Sequence, residues 1–134
     1  MNNYIKIKTL CISFLMLIAS WSYAQEAKSI TVSDESKKEA KEKLEGYRQL
    51  VLNGESMSTI AMLYSDDPGS KKAGGLYNNI ARGQFVPEFE AVAFNLQPGG
   101  ISEVFETQYG FHFIQLVARR GDIIDVRHVL IVPK

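Results

Sequence analysis

The apolar positions of this chain fall into three helical runs and then two alternating ones. Ala40, Leu44, Tyr47 and Val51 recur at helical spacing on one side of a helix, while Lys38, Glu39, Lys41, Glu42, Lys43 and Glu45 take the other. Ser33, Asp34 and Ser36 offer oxygens to cap its start, Glu39 completes a capping box on Ser36, and Gly54 ends it. Met57, Ile60, Ala61 and Tyr64 form a second, shorter apolar face that runs into the polar turn at 65–70, and a loop is expected from there through Gly74 and Gly75 to Gly83. The third run opens on Pro87 at a first helical position, lines up Phe89, Val92, Ala93 and Leu96, and stops at Gln97-Pro98-Gly99-Gly100. Beyond that the period changes to two: 102–106 and 111–117 read as strands of a hairpin around Tyr109-Gly110, and β-branched 28–32 reads as a short strand ahead of the first helix. Strand, helices and hairpin in that order predict an α+β fold with an antiparallel sheet.

Residues 1–24 differ in kind from the rest. Lys6 and Lys8 precede an apolar run from Leu10 to Ile18, too short to cross a bilayer, and Ser22 and Ala24 are the small residues that a signal peptidase site needs. A cleaved signal peptide is expected there, with an uncleaved membrane anchor as the alternative. Cys11 lies inside the apolar run, so the remaining chain has no cysteine, as suits an oxidising compartment.

Charge narrows the function classes. The 134 residues carry 15 Lys plus Arg against 15 Asp plus Glu, and removing the signal takes away two bases and no acid. Without a basic excess, a nucleic-acid partner is not expected. One Cys and two His make neither a disulfide framework nor a zinc cluster, so no metal is expected either.

The ordered stretch Tyr64-Ser65-Asp66-Asp67-Pro68-Gly69-Ser70, Gly74-Gly75, Arg82-Gly83-Gln84-Phe85-Val86-Pro87-Glu88-Phe89, Ala93-Phe94, Leu96, Pro98-Gly99, Ser102 and Tyr109-Gly110-Phe111-His112 resembles the parvulin family of peptidyl-prolyl cis-trans isomerases. The likeness runs in one register from about Ala27 to Arg120 and, with the signal segment, points to the periplasmic SurA-like and PpiC-like branch. It implies a parvulin-like fold within the FKBP-like superfold: a four-stranded antiparallel sheet with surrounding helices, as residues 25–121. It also implies an isomerase of X-Pro bonds that assists the folding of outer-membrane proteins, with unfolded or extended proline-containing polypeptides, outer-membrane precursors among them, as partners.

The reaction sets its own requirements. An X-Pro bond crosses a barrier of roughly 20 kcal/mol because twisting destroys amide resonance. A catalyst must favour the twisted amide, which calls for an apolar cup around the proline ring and polar groups near the rotating carbonyl, with no nucleophile, metal or cofactor. By the resemblance, Phe85 and Phe89 form the cup, Tyr77 stands where leucine is usual, and Tyr109 lines the rim. Asp67 falls beside the substrate carbonyl, His112 lies under the floor of the site in a hydrogen-bonded network, and Thr107 adds a hydroxyl to it. Each has a plainer reading: Phe85 and Phe89 as core, Asp67 as a turn former, His112 as a satisfied buried histidine.

Three features depart from the family. Its first-strand histidine is replaced by Ser29, which leaves the histidine pair incomplete and isomerase activity in question. Between Gly75 and Arg82 the usual pattern is lost, and Asn78 is expected to take the left-handed turn that glycine provides. Residues 122–134 hold Arg127-His128-Val129-Leu130-Ile131, which looks like the first strand of a second parvulin unit. Residues 125–133 are thus expected either to begin such a unit or to pair with a sheet, their own or another copy's, with His128 as an ordinary exposed strand residue. Besides the enzyme, a peptide-binding module without catalysis and a truncated remnant of a tandem protein fit the same residues.

Overall fold

The computed structural model describes residues 34–134. The signal segment, the strand expected at 28–32 and Ser29 lie outside the described residues. Helix α1 runs through residues 34–52. Residue 34 is already helical, so Ser36 lies within the helix and not at its cap. The predicted stripe is real: Ala40, Leu44 and Val51 are buried, and Tyr47 packs beside them. Arg48 is buried too, because its guanidinium bridges α1 to the segment before the hairpin. Its Nε donates to the Ser102 carbonyl at 2.7 Å and its terminal nitrogens to Glu45 and Glu103.

Helix α2 (Met57–Tyr64) is capped by Ser56, whose side chain accepts from the Thr59 N–H, and buries Met57, Ile60 and Ala61. Tyr64 faces outward, stacked on Tyr47 with ring centroids 4.3 Å apart. A 3-10 turn, Lys71–Ala73, then leads into strand β1 (Leu76–Ile80). Part of the loop expected here is thus a strand. Its alternation is hidden by a bulge at Asn79, the residue with φ +58, so the left-handed position is one later than expected. The bulge lets Tyr77 and Ile80, an odd number of residues apart, reach the same side of the sheet. Asp125 accepts from the Asn79 N–H and Arg120 bonds both residues, holding the bulge in place.

Helix α3 (Pro87–Ala93) starts with Pro87 where a missing N–H costs nothing and buries Phe89 and Ala93. Strands β2 (Phe105–Thr107) and β3 (Gly110–Arg120) form the expected hairpin, and β4 (Ile123–Ile131) follows through a two-residue turn. The sheet is antiparallel throughout, in the order β1-β4-β3-β2. The segment read as a strand with no settled place is therefore a central strand of this domain's own sheet. Gly75 makes room for it: any side chain there would strike the His128 backbone, whose N–H donates to the Gly75 carbonyl at 3.0 Å.

Each face of the sheet builds a core. On one, Phe111, Phe113, Val129 and Ile131 meet α1 and α2; on the other, Ile114, Leu116, Ile124 and Val126 meet α3. Among the described residues no helix is long and apolar enough to cross a membrane.

Candidate active site

The second face ends in polar residues. Pleating puts His112 on the same side as Ile114 and Leu116, and His128 on the same side as Val126. The register pairs His112 with Leu130 and Ile114 with His128, so the two histidines are diagonal neighbours. Their rings lie 5.6 Å apart and 16° from parallel, and Phe105 stacks on the far side of His112 at 5.4 Å. Both imidazoles are buried, at 3% and 4% exposure.

Their hydrogen bonds form a chain. His128 Nε2 lies 2.7 Å from Asp67 Oδ2, a carboxylate oxygen that only accepts, so this nitrogen carries the proton. The Nδ1 atoms of the two rings meet at 3.4 Å, and His112 Nε2 pairs with the Thr107 hydroxyl at 2.7 Å. Thr107 Oγ1 accepts in turn from the Tyr109 N–H at 3.2 Å. Burial, reinforced by the charge of His128 when that ring is protonated, depresses His112 to about 4, so the His112 ring is neutral near pH 7.

Asp67 anchors the far end. Its Oδ2 receives His128, the Ser70 hydroxyl at 2.6 Å and the Tyr77 hydroxyl at 2.9 Å, and its Oδ1 receives the Gly69 N–H at 3.1 Å. These donors, His128 first, hold its carboxyl well below the usual carboxylate range. A carboxylate so occupied is a fixed charge, neither nucleophile nor proton donor. Tyr77 answers in kind: burial and the charge of Asp67 push its hydroxyl up to about 12.

Over this network stands an apolar wall. Phe85 and Phe89 stack at 4.9 Å, Tyr77 meets Phe85 edge-on at 5.2 Å, and Phe89 sets its edge toward both imidazoles at 5.9 and 5.5 Å. Phe89 is fixed by α3. Phe85 is fixed by its N–H, which donates to Glu90 Oε1 at 2.9 Å, the same oxygen that takes the Gly83 N–H. Walls and floor enclose an open cavity of about 670 Å³. Of the residues predicted for the site, Asp67, Tyr77, Phe85, Phe89, Tyr109 and His112 line it, and Thr107 sits behind His112. His128, expected to be exposed, lines it as well, as do Leu130, Val132, Asp66 and Gln84, which the sequence reading left out. The tail's likeness to a histidine-bearing first strand was the signal for His128. Leu130 and Val132 follow from it by alternation. Among the described residues no group of three or more His, Cys, Asp and Glu is placed to hold a metal ion.

Residues 23–118 match the family model described as Rotamase: PPIC-type PPIASE domain. The chain belongs to this family. Relatives of the rotamase domain include a Chaperone SurA from Nitrosococcus oceani, 40% identical over 87 residues, which is 65% of this chain and 20% of that protein. A Foldase protein PrsA 3 from Bacillus anthracis is 42% identical over 92 residues, 68% of this chain and 30% of the relative. Among solved structures, the crystal structure of the peptidylprolyl isomerase PrsA from Bacillus cereus matches with a TM-score of 0.57 and 32% identity, covering 60% of this chain and 31% of that one. The chain thus spans between a fifth and a third of the length of these relatives. The family match stops before β4, yet β4 supplies His128, Leu130 and Val132 to the cavity of this rotamase domain. Ser29, expected to leave the histidine pair incomplete, lies outside the described residues; the partner of His112 comes from β4.

Proposed function

We propose that the chain is a peptidyl-prolyl cis-trans isomerase that acts on unfolded or extended proline-containing segments of exported proteins in the periplasm, outer-membrane precursors included. One observation carries this reading: an apolar cup of Tyr77, Phe85 and Phe89 opens onto a hydrogen-bonded floor of His112, His128 and Asp67. The signal-like segment at 1–24 supports the location.

In this reading the proline ring seats against Phe85 and Phe89, where water is excluded. The planar amide is more polar than the twisted one, so an apolar seat disfavours the ground state and lowers the barrier. Asp67 keeps a full negative charge next to the bond, which repels a carbonyl oxygen lying beside it and favours its swing outward. Gln84 also lines the cavity, and with its Oε1 engaged by the Ala81 N–H its amide nitrogen is left as a donor for that oxygen. The histidines act by keeping floor and charge in place. With His112 depressed to about 4, neither proton uptake nor release is needed near neutral pH.

A second reading draws on the rim. Tyr109 is 57% and Val132 38% exposed at the mouth of the cavity, an apolar lip that holds an extended segment without any chemistry. A protease-coupled proline-isomer assay on the full chain decides between them. Catalysis is expected in the parent and a loss of at least about tenfold in Phe89→Ala and His112→Ala. A parent at the uncatalysed rate that still binds proline peptides selects the binding module.

A further inference from the structure

Tyr77 belongs to both halves of the site. Its ring lies against Phe85 and 5.5 Å from the His128 ring, while its hydroxyl donates to Asp67 Oδ2 at 2.9 Å. A leucine, usual here by the resemblance, fills the cup but reaches no carboxylate. Room for the hydroxyl comes from Gly69. A Cβ placed on Gly69 would stand 2.5 Å from Tyr77 Oη but 3.6 Å from the Cζ behind it, so a methyl group collides with the oxygen and merely touches the ring. Gly69 is outside the positive-φ glycines, so its backbone gives no reason for a missing side chain, whereas the tyrosine hydroxyl does.

We infer that Tyr77 is a positioning residue: its hydroxyl, admitted by the bare backbone of Gly69, orients the Asp67 carboxylate, so that a proline ring in the cup bears on the polar network through the tyrosine. The inference rests on the isomerase reading and adds to it a coupling between cup and network. Ser70 and the Gly69 N–H also donate to the carboxylate but lie outside the cavity lining, and His128 reaches it from the floor. Tyr77 makes the connection from the wall. Its hydroxyl, ionising only at about 12, remains a donor across the working range of pH.

The test compares four forms of the full chain: the parent, Tyr77→Phe, Gly69→Ala and the double variant. With tyrosine labelled at Cζ, the Tyr77 resonance of the parent is expected to titrate well above the ordinary midpoint near ~10, and that of Gly69→Ala to return toward it. In the isomer assay each single variant is expected to lose about tenfold in kcat with KM little changed, as for a group acting on the transition state more than on binding. The double variant is expected to be no slower than Tyr77→Phe, because the added methyl has no hydroxyl left to displace. Gly69→Ala leaving the Tyr77 titration unmoved, or losses that multiply in the double variant, overturns the inference. A melting temperature for Tyr77→Phe within a few degrees of the parent separates lost positioning from lost fold; should that variant collapse, the Gly69→Ala titration decides. A parent chain without isomerase activity sinks the functional reading but leaves the titration to judge the tyrosine's role.

Discussion

The two faces of the sheet are built from the same strands and do different work. Toward α1 and α2, β3 and β4 present Phe111, Phe113, Val129 and Ile131, which with Leu44 and Ala61 close a core around residues of zero exposure. Toward α3 the same strands begin with Ile114, Leu116, Ile124 and Val126, equally buried, and then change to His112 and His128 where the cavity opens. The cluster on the closed face is built of apolar side chains. The open face gives up part of its apolar packing to two imidazoles, and these are tolerated because each ring nitrogen has a partner. Among the described residues no buried side-chain nitrogen or oxygen lacks one.

Truncating the closed face should have the largest effect. Phe113→Ala, at zero exposure, is expected to cost about 3–5 kcal/mol in denaturant unfolding, since the space it leaves has no route to water. The same truncation of Phe89 is expected to cost less, because that space joins the cavity. An equal cost at both positions would mean that the open face is as tightly closed as the other.

Acid should act most on the open face. His112 ionises at about 4 in the fold and at 6.5 when unperturbed, so between these values the unfolded chain takes up a proton that the folded chain refuses. Stability should therefore be flat above pH ~6.5 and fall by on the order of 3 kcal/mol as the pH drops to about 4. Asp67, also depressed in the fold, extends the loss below its ordinary 3.8. Unfolding curves collected through this range check the slope, and His112→Phe should flatten its upper part.

The smallest effect sharpens the account of the network. Thr107→Val keeps the shape but removes the hydroxyl that pairs with His112 Nε2 and accepts from the Tyr109 N–H; it should cost about 1 kcal/mol. A neutral result would mean that water replaces the hydroxyl, so that the chain of bonds is open at that end.

Local signals were easy to read and distant ones were not. The stripe of Ala40, Leu44 and Val51, the proline at the head of α3 and the β2–β3 hairpin each depend on residues a few positions apart, and each stands where the pattern put it. Asp67, His112, Phe85, Phe89, Tyr77 and Tyr109, named from the resemblance, line one cavity. What escaped was non-local. Strand β1 hides behind a bulge that breaks its alternation at Asn79, and its polar Asn78-Asn79 pair reads as a turn. His128 lies 61 residues from the carboxylate it bonds, in a strand whose own composition says nothing of which sheet it joins. Only the pairing of β4 between β1 and β3 turns it from a surface residue into half of a histidine pair.

The margins of the sheet bear on how such a molecule survives its proposed clients. A protein that meets unfolded chains risks adding them, strand by strand, to its own rim and so seeding aggregates. Among the described residues one rim is β2, three residues long, and the other is β1, five residues with a kink and two outward asparagines. Neither offers a long flat ladder on which an extended guest can zip, and the guest is left to dock by its side chains at the cavity.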